Sequence, residues 1–457
     1  MLRHARGRWM GVMGTVAVAA GALAPQARAI PSFARQTKMP CSTCHTQFPE
    51  LTEFGRMFKL NGYTLSAIEK IEAQDSAGRQ ELSLNLMPIV SIMAQASWTQ
   101  MGRPIGGSPN GMVLLPDQLS VFLAGAITPK IGAFVQLTYD PQSGSIALDN
   151  TSLRFATQGT LASQPTTFGL SINNNPTVQD LWNSTPVWGF PYASSAVAPG
   201  SAATTLIDGT LGGEVAGLSG FAYWNNSVYA ELGLYRSSPL GTQQPFVPLA
   251  VDSNTTASGI IQGVAPYWRL AWTRTFGDNY LMVGMYGMYA KRQPGAFVSG
   301  GGTDTYSDIA ADFEYMRPFG HNSLTVAGTW IHEARSMDAS VASGVASVTS
   351  QVLNTFRVRG TYHLGQAYAF SLQPFYTSGT TDATLYQAGD VYGSLAGSPN
   401  TSGLIAEVDY NPWQNTRLTL QYTAYGKFNG RSSTYDQTGG RNASANNTLY
   451  AVAWLMF

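Results

Sequence analysis

A chain of 457 residues with 26 basic and 26 acidic side chains carries no net charge, so its electrostatics point to neither nucleic acid nor an acidic partner. Charged residues make up 11% of it, less than half the roughly 25% of an ordinary soluble domain; such a surface promotes association in water but suits lipid. No apolar run long enough for a spanning helix occurs after the first 29 residues, which leaves the closed β-barrel as the way for this chain to cross a bilayer.

The first element is a leader. MLRHARGRWM is basic, GVMGTVAVAAGALA is a short interrupted apolar run, and Ala27-Arg28-Ala29 has the A-x-A form of a cleavage site. Residues 1–29 are therefore expected to be a signal peptide, with the mature chain starting near Ile30 outside the cytoplasmic membrane. The competing reading is a retained N-terminal anchor.

Next comes MPCSTCHTQF, residues 39–48, which holds both cysteines of the chain. The spacing Cys41-x-x-Cys44-His45 is the attachment pattern of a c-type haem. Two thiols three positions apart can form thioethers to two vinyl groups of one porphyrin edge, and His45 then stands beside the iron as proximal ligand. Export and haem attachment support each other, because thioether haem is formed after export. A thioredoxin-like redox pair would need a βαβ context, and no second Cys or His pair stands at zinc-finger spacing. A small disulfide loop would make the trailing histidine a coincidence.

Residues 30–80 form a segment with helical rather than alternating character. PELTEFGRMFKL places Leu51, Phe54 and Phe58 on one helical face. About 50 residues build little core alone, so haem c is expected to supply apolar surface. A sixteen-strand lumen is wide enough for the segment to plug or cap it.

From 81 to 457 the period is two. Leu418, Leu420, Tyr422 and Ala424 alternate with Thr419, Gln421 and Thr423, and Leu404, Ala406, Val408 and Tyr410 face away from Glu407 and Asp409. Phe356 and Val358 oppose Arg357 and Arg359; Ile309, Ala311, Phe313 and Tyr315 oppose Asp308, Asp312 and Glu314. An apolar lipid face over a polar lumen demands this alternation. Tight turns at 128–132, 224–227, 276–279, 319–322, 363–366 and 411–416 alternate with long connections such as 237–265, 378–401 and 427–446. Short turns toward the periplasm and long loops outward are the asymmetry of an outer-membrane barrel. About sixteen strands are expected: near 84–98, 118–128, 133–139, 146–156, 166–173, 214–224, 227–236, 266–275, 280–291, 305–317, 322–335, 351–363, 367–377, 402–411, 416–426 and 447–457. The fold class is thus all-β, an antiparallel outer-membrane β-barrel with a small, partly helical N-terminal haem segment. A soluble sandwich or propeller is the alternative, and no repeat with a blade signature is visible.

IPSFARQTKMPCSTCHTQFPELTEFGRMFKLNGYTL, placed between a leader and a barrel, resembles the fused cytochrome–porin family of outer-membrane monohaem cytochromes. NNNPTVQDLWNSTPVWGFPY (173–192) is similar to a family segment between two strands. The N-terminal likeness covers about a tenth of the chain; in the barrel it is mainly architectural. Several members are associated with ferrous iron oxidation, and others have no known donor. The resemblance implies an electron-transfer protein of the bacterial outer membrane. Its electrons would come from extracellular Fe(II) or another reductant and pass through one covalent haem to a periplasmic carrier, a c-type cytochrome or copper protein.

The sixth iron ligand stays open. His321 and His363 stand in or beside short turns, and His332 near the outer end of a strand. Met39 is close to the motif but strained for the distal side. Met57, bordering the apolar face of the predicted helix, is the named candidate, against an ordinary packing role. Two other functions compete: a diffusion porin with an accessory haem, and a haem peroxidase or gas sensor, for which the N-terminal segment shows no distal His–Arg pair.

Overall fold

The computed structural model describes residues 31–64, 70–78, 80–86, 89–141, 144–237, 260–295, 298–437 and 439–457. The expected leader and part of the 237–265 connection lie outside them.

Sixteen antiparallel strands close into a barrel: β1 (Val90–Met101), β2 (Met112–Ala126), β3 (Ile131–Asp140), β4 (Ser145–Leu161), β5 (Gln164–Asn173), β6 (Ala216–Trp224), β7 (Val228–Arg236), β8 (Ala265–Phe276), β9 (Asn279–Gln293), β10 (Asp304–Phe319), β11 (Asn322–Ser336), β12 (Ser350–Leu364), β13 (Tyr368–Gly379), β14 (Thr401–Trp413), β15 (Thr416–Lys427) and β16 (Thr448–Met456). Each pairs with its sequence neighbour, and β16 returns to β1 with Ala453 opposite Ala96, so no edge is left open. The two-residue strand Ile260–Ile261 pairs with the end of β9.

The expected faces hold. Ile309, Phe356, Leu404, Val408, Leu418 and Leu420 are exposed on the outside, while Asp308, Asp312, Glu314, Arg359, Glu407 and Asp409 are buried facing the lumen. Phe276, Phe319, Tyr368, Tyr410 and Trp413 stand exposed at the short-turn ends of their strands. An apolar outer band bordered by aromatic residues is the surface of a barrel seated in an outer membrane.

Several boundaries differ from the sequence expectation, among them the start of β2, at Met112 rather than 118. Residues 84 and 85 belong to a separate hairpin, Lys70–Gln74 with Gln80–Asn85, and the barrel wall begins at Val90. Alternation runs through both, so periodicity alone could not separate them. The turn between β4 and β5 is the two residues Ala162 and Ser163, both at positive φ. It is shaped like an ordinary hairpin turn but lacks the Asn or Gly that would have announced it.

Two pieces of chain fill the lumen. One is the N-terminal segment, with helices α1 (Pro31–Thr37) and α2 (Glu53–Leu60). The other is the connection 174–215 between β5 and β6, in which Thr177, Val178, Asp180, Leu181, Trp182 and Thr185 are buried. Plug and strap meet where Lys59 Nζ donates to the carbonyls of Val178 (2.9 Å) and Asp180 (2.5 Å).

Candidate haem site

The Cys41–Thr43 stretch is one tight turn after Pro40, closed by Cys44 N and His45 N donating to the Cys41 carbonyl (3.0 and 2.9 Å). This brings both thiols and the imidazole onto one short arc. Thr52, the N-cap of α2, ties the arc to that helix. Its Oγ donates to the Thr43 carbonyl (2.6 Å) and accepts from Gly55 N (3.2 Å), and its own N–H donates to the Cys44 carbonyl (2.9 Å). Gly55 permits the approach: a Cβ there would lie 2.2 Å from the Cys44 oxygen. The motif also hangs on the barrel's short-turn end, where Cys41 N donates to Gln414 Oε1 (2.9 Å) and Arg417 Nη1 donates to the Phe48 carbonyl (2.8 Å).

His45 Nδ1 lies 3.0 Å from the Glu50 carbonyl. A carbonyl can only accept, so Nδ1 carries the proton and Nε2 keeps its lone pair, the tautomer a metal ligand needs. The ring is partly accessible through a cavity but surrounded by protein, and that burial lowers its pKa to about 4, keeping it neutral. Burial, with the neighbouring Cys41, raises the Cys44 thiol to about 11. Neither cysteine is in a disulfide.

Cys41, Cys44 and His45 open onto a cavity of about 310 Å³, within the usual size range of cofactor pockets. Its walls are largely aromatic and thioether, among them Phe58, Phe122, Phe134, Trp188, Met93 and Met456. Toward the lumen the lining turns polar, with Gln95, Gln118, Gln136, Asp149 and Asn150. An apolar slot with two thiols, an imidazole Nε2 free on one side and a polar rim fits a covalently held, flat, amphiphilic macrocycle. Among the described residues, no cluster of three or more His, Cys, Asp or Glu is placed to hold a free metal ion.

Behind His45 stands Glu50, buried at 2% exposure. Its carboxylate accepts from Thr46 Oγ1 and Tyr192 OH (both 2.9 Å), lies 3.2 Å from His363 Nε2, and pairs with Arg359. Beyond Tyr192, Arg417 bridges Glu407 (2.5 Å) and Asp409 (2.8 Å).

Met57 is not at this cavity. Gly55, Phe58 and Lys59 of α2 face it, whereas Met57 packs with Leu60, Trp182 and Tyr280 and lines a second cavity of about 360 Å³. On the short helix, positions 57 and 58 point to different sides, so the structure corrects that placement. The methionines that do line the first cavity are Met39, Met93 and Met456. His321 is an exposed turn residue, and His332 bonds Asn354 Oδ1 (2.9 Å) far from the motif in the chain and on another wall. His363, read from the sequence as a turn residue, is instead buried in the lumen against Glu50. No sequence signal places it there, because β12 and the plug meet only in the folded barrel.

No protein-family model matches the chain, and no curated relative does. Among solved structures, it is similar to a loop-deletion mutant of the outer membrane protein OmpT of Vibrio cholerae at 12% identity. That match covers 80% of this chain and 98% of the other, with a TM-score of 0.43. It is likewise similar to Salmonella typhi OmpF in complex with daunomycin, at 12% identity, 80% and 97% coverage and TM-score 0.44. A third is the outer membrane channel DcaP of Acinetobacter baumannii, at 10% identity, 80% and 96% coverage and TM-score 0.44.

Proposed function

We propose that this outer-membrane barrel is a monohaem electron-transfer protein, in which Cys41 and Cys44 hold one haem c covalently and His45 binds its iron. One observation carries the reading. The Cys41–His45 turn opens onto an apolar cavity inside the barrel, with His45 Nδ1 engaged by the Glu50 carbonyl and Nε2 left available. Bound there, a haem supplies reversible one-electron exchange. The protein's own residues fix the imidazole tautomer, exclude bulk water with aromatic walls, and anchor the plug to the short-turn end of the barrel. That end is the side from which a periplasmic carrier, a small cytochrome or copper protein, would collect electrons. The resemblance of residues 30–65 to the fused cytochrome–porin family supports ferrous iron as the extracellular donor.

A diffusion porin with an accessory haem is the second reading, favoured by the sixteen-strand closed wall. The plug and strap in the lumen speak against a wide passage. The test is an absorption spectrum of purified protein during addition of ferrous iron. Wild type is expected to show the sharpened α-band of reduced haem, and Cys41→Ala/Cys44→Ala to lose covalent haem after denaturation and extraction. Covalent haem that iron never reduces, although a small organic reductant does, would refute the iron donor but not electron transfer. Absence of covalent haem from the wild type would refute the whole reading.

A further inference from the structure

The cavity has a pair of thioethers on its barrel side. Met93 of β1 and Met456 of β16 are direct register partners across the seam where the first and last strands meet. Cross-strand partners project side by side from one face of a sheet, and these two project inward: they are 2% and 5% exposed and line the cavity with Cys41, Cys44 and His45. The same short turn serves both sides of that cavity. Gln414 accepts from Cys41 N, while Asn415 takes the N–H of Met456 (3.0 Å) and donates Nδ2 to its carbonyl (2.7 Å). Two consecutive residues thus set the spacing between the attachment motif and the methionine pair.

The competing ligands are fewer than the sequence suggested. Among the described residues, His45 is the one histidine that lines the cavity, since His363 is held at Glu50 and His332 at Asn354. Met57 borders the other cavity. Met39 lies two residues before Cys41, whose sulfur would attach at the macrocycle edge. Its side chain would have to pass around that edge to reach the face opposite His45. The seam methionines come from a different element and need no such detour. Packing alone would be met by leucine, whereas two adjacent thioethers add soft ligands suited to haem iron.

We infer that the sixth ligand of the iron is a thioether of the Met93–Met456 pair, so that the haem is coordinated jointly by the plug and by the seam of the barrel. This rests on the haem reading above. Thioether ligation raises a haem's potential, which suits a centre that accepts electrons from a weak extracellular reductant. It also makes six-coordination depend on plug and barrel being assembled.

The test uses the full-length protein with its covalent haem, and leucine replacements that keep volume. Wild type should show the sulfur-to-ferric-iron charge-transfer absorption and the strongly upfield-shifted methionine methyl resonance of the reduced state. Met93→Leu/Met456→Leu should lose both, fall in reduction potential and bind carbon monoxide readily, while covalent haem staining and the β-sheet circular dichroism stay unchanged. Met39→Leu and Met57→Leu should keep both signatures. The inference is overturned if the double variant retains methionine ligation, if Met39→Leu or Met57→Leu abolishes it, or if haem-loaded wild type shows none. A wild type without covalent haem instead overturns the reading on which the inference rests. Should the double variant not fold, Met93→Leu and Met456→Leu singly decide the matter: one of them must lose the signatures, or shift the methyl resonance and the potential as its neighbour takes over, and two variants indistinguishable from wild type overturn it.

Discussion

Glu50 shows how one residue can organise a site from behind the residues that line its cavity. Its carbonyl orients His45, and its carboxylate is tied to Thr46, Tyr192, Arg359 and His363. Removing it would strand Arg359, whose second terminal nitrogen already lacks a hydrogen-bond partner. An uncompensated buried charge costs about 3–5 kcal/mol. Glu50→Ala should therefore loosen the plug strongly, read as earlier protease cleavage within residues 31–64 and a lower denaturation midpoint. Glu50→Ala with Arg359→Met should recover part of the loss, since neither charge then remains. A double variant no better than the single would mean that the ion pair is not what holds the plug. At this scale the sequence singled out Cys41, Cys44 and His45 as candidates, because a motif of this kind is defined by spacing along the chain. It could not find Glu50 or His363, which are 313 positions apart.

Among elements, the strands were the most legible and the loops the least. Alternation placed the lipid-facing and lumen-facing residues of β10, β12, β14 and β15 on their correct faces, because a one-residue slip would turn charges to lipid. The connections 337–349 and 380–400 gave no such signal, yet Asp382 joins them. It accepts from the backbone of Ser347 (2.9 Å), Val348 (2.9 Å), Thr384 and Leu385 (both 3.0 Å), and from the side chains of Ser347 and Gln351. Burial pushes its carboxyl up, but these donors outweigh that and hold it well below the usual carboxylate range. A depressed pKa contributes stability that is present above the unfolded value, near 3.9, and lost as the pH falls through the folded one. The two loops should stay docked and protease-resistant at about pH 3, where ordinary carboxylates are largely protonated. Asp382→Asn, at a cost of about 1–3 kcal/mol, should expose them already near neutrality. Loops that open in wild type at about pH 4 would show that this carboxylate does not control them.

At the scale of the molecule, what fills the barrel matters as much as its wall. Val178, Leu181, Trp182, Phe58 and Leu60 are all at most 4% exposed, so plug and strap pack as a core rather than hang as loops. Burial of such side chains contributes about 1.5–3 kcal/mol each. In planar bilayers the intact chain should conduct far less than a variant lacking most of the 174–215 strap. Equal conductance in the two would favour the diffusion-porin reading.

The sequence alone determined whatever depends on local period and spacing. The two-residue alternation, scarce charge and alternating turns implied a lipid-facing barrel of about sixteen strands, and the Cys41–His45 spacing singled out the residues of the proposed haem site. Lipid imposes its rule on every strand residue by residue, and an attachment motif is confined to five consecutive positions, so both are written locally. The tertiary structure decided what depends on closure. Only when β16 meets β1 do Met93 and Met456 become neighbours. Only when the plug enters the lumen does Met57 turn away from the cavity and His363 reach Glu50. Contacts between residues hundreds of positions apart leave no periodic trace, because they are selected by the shape of the filled barrel.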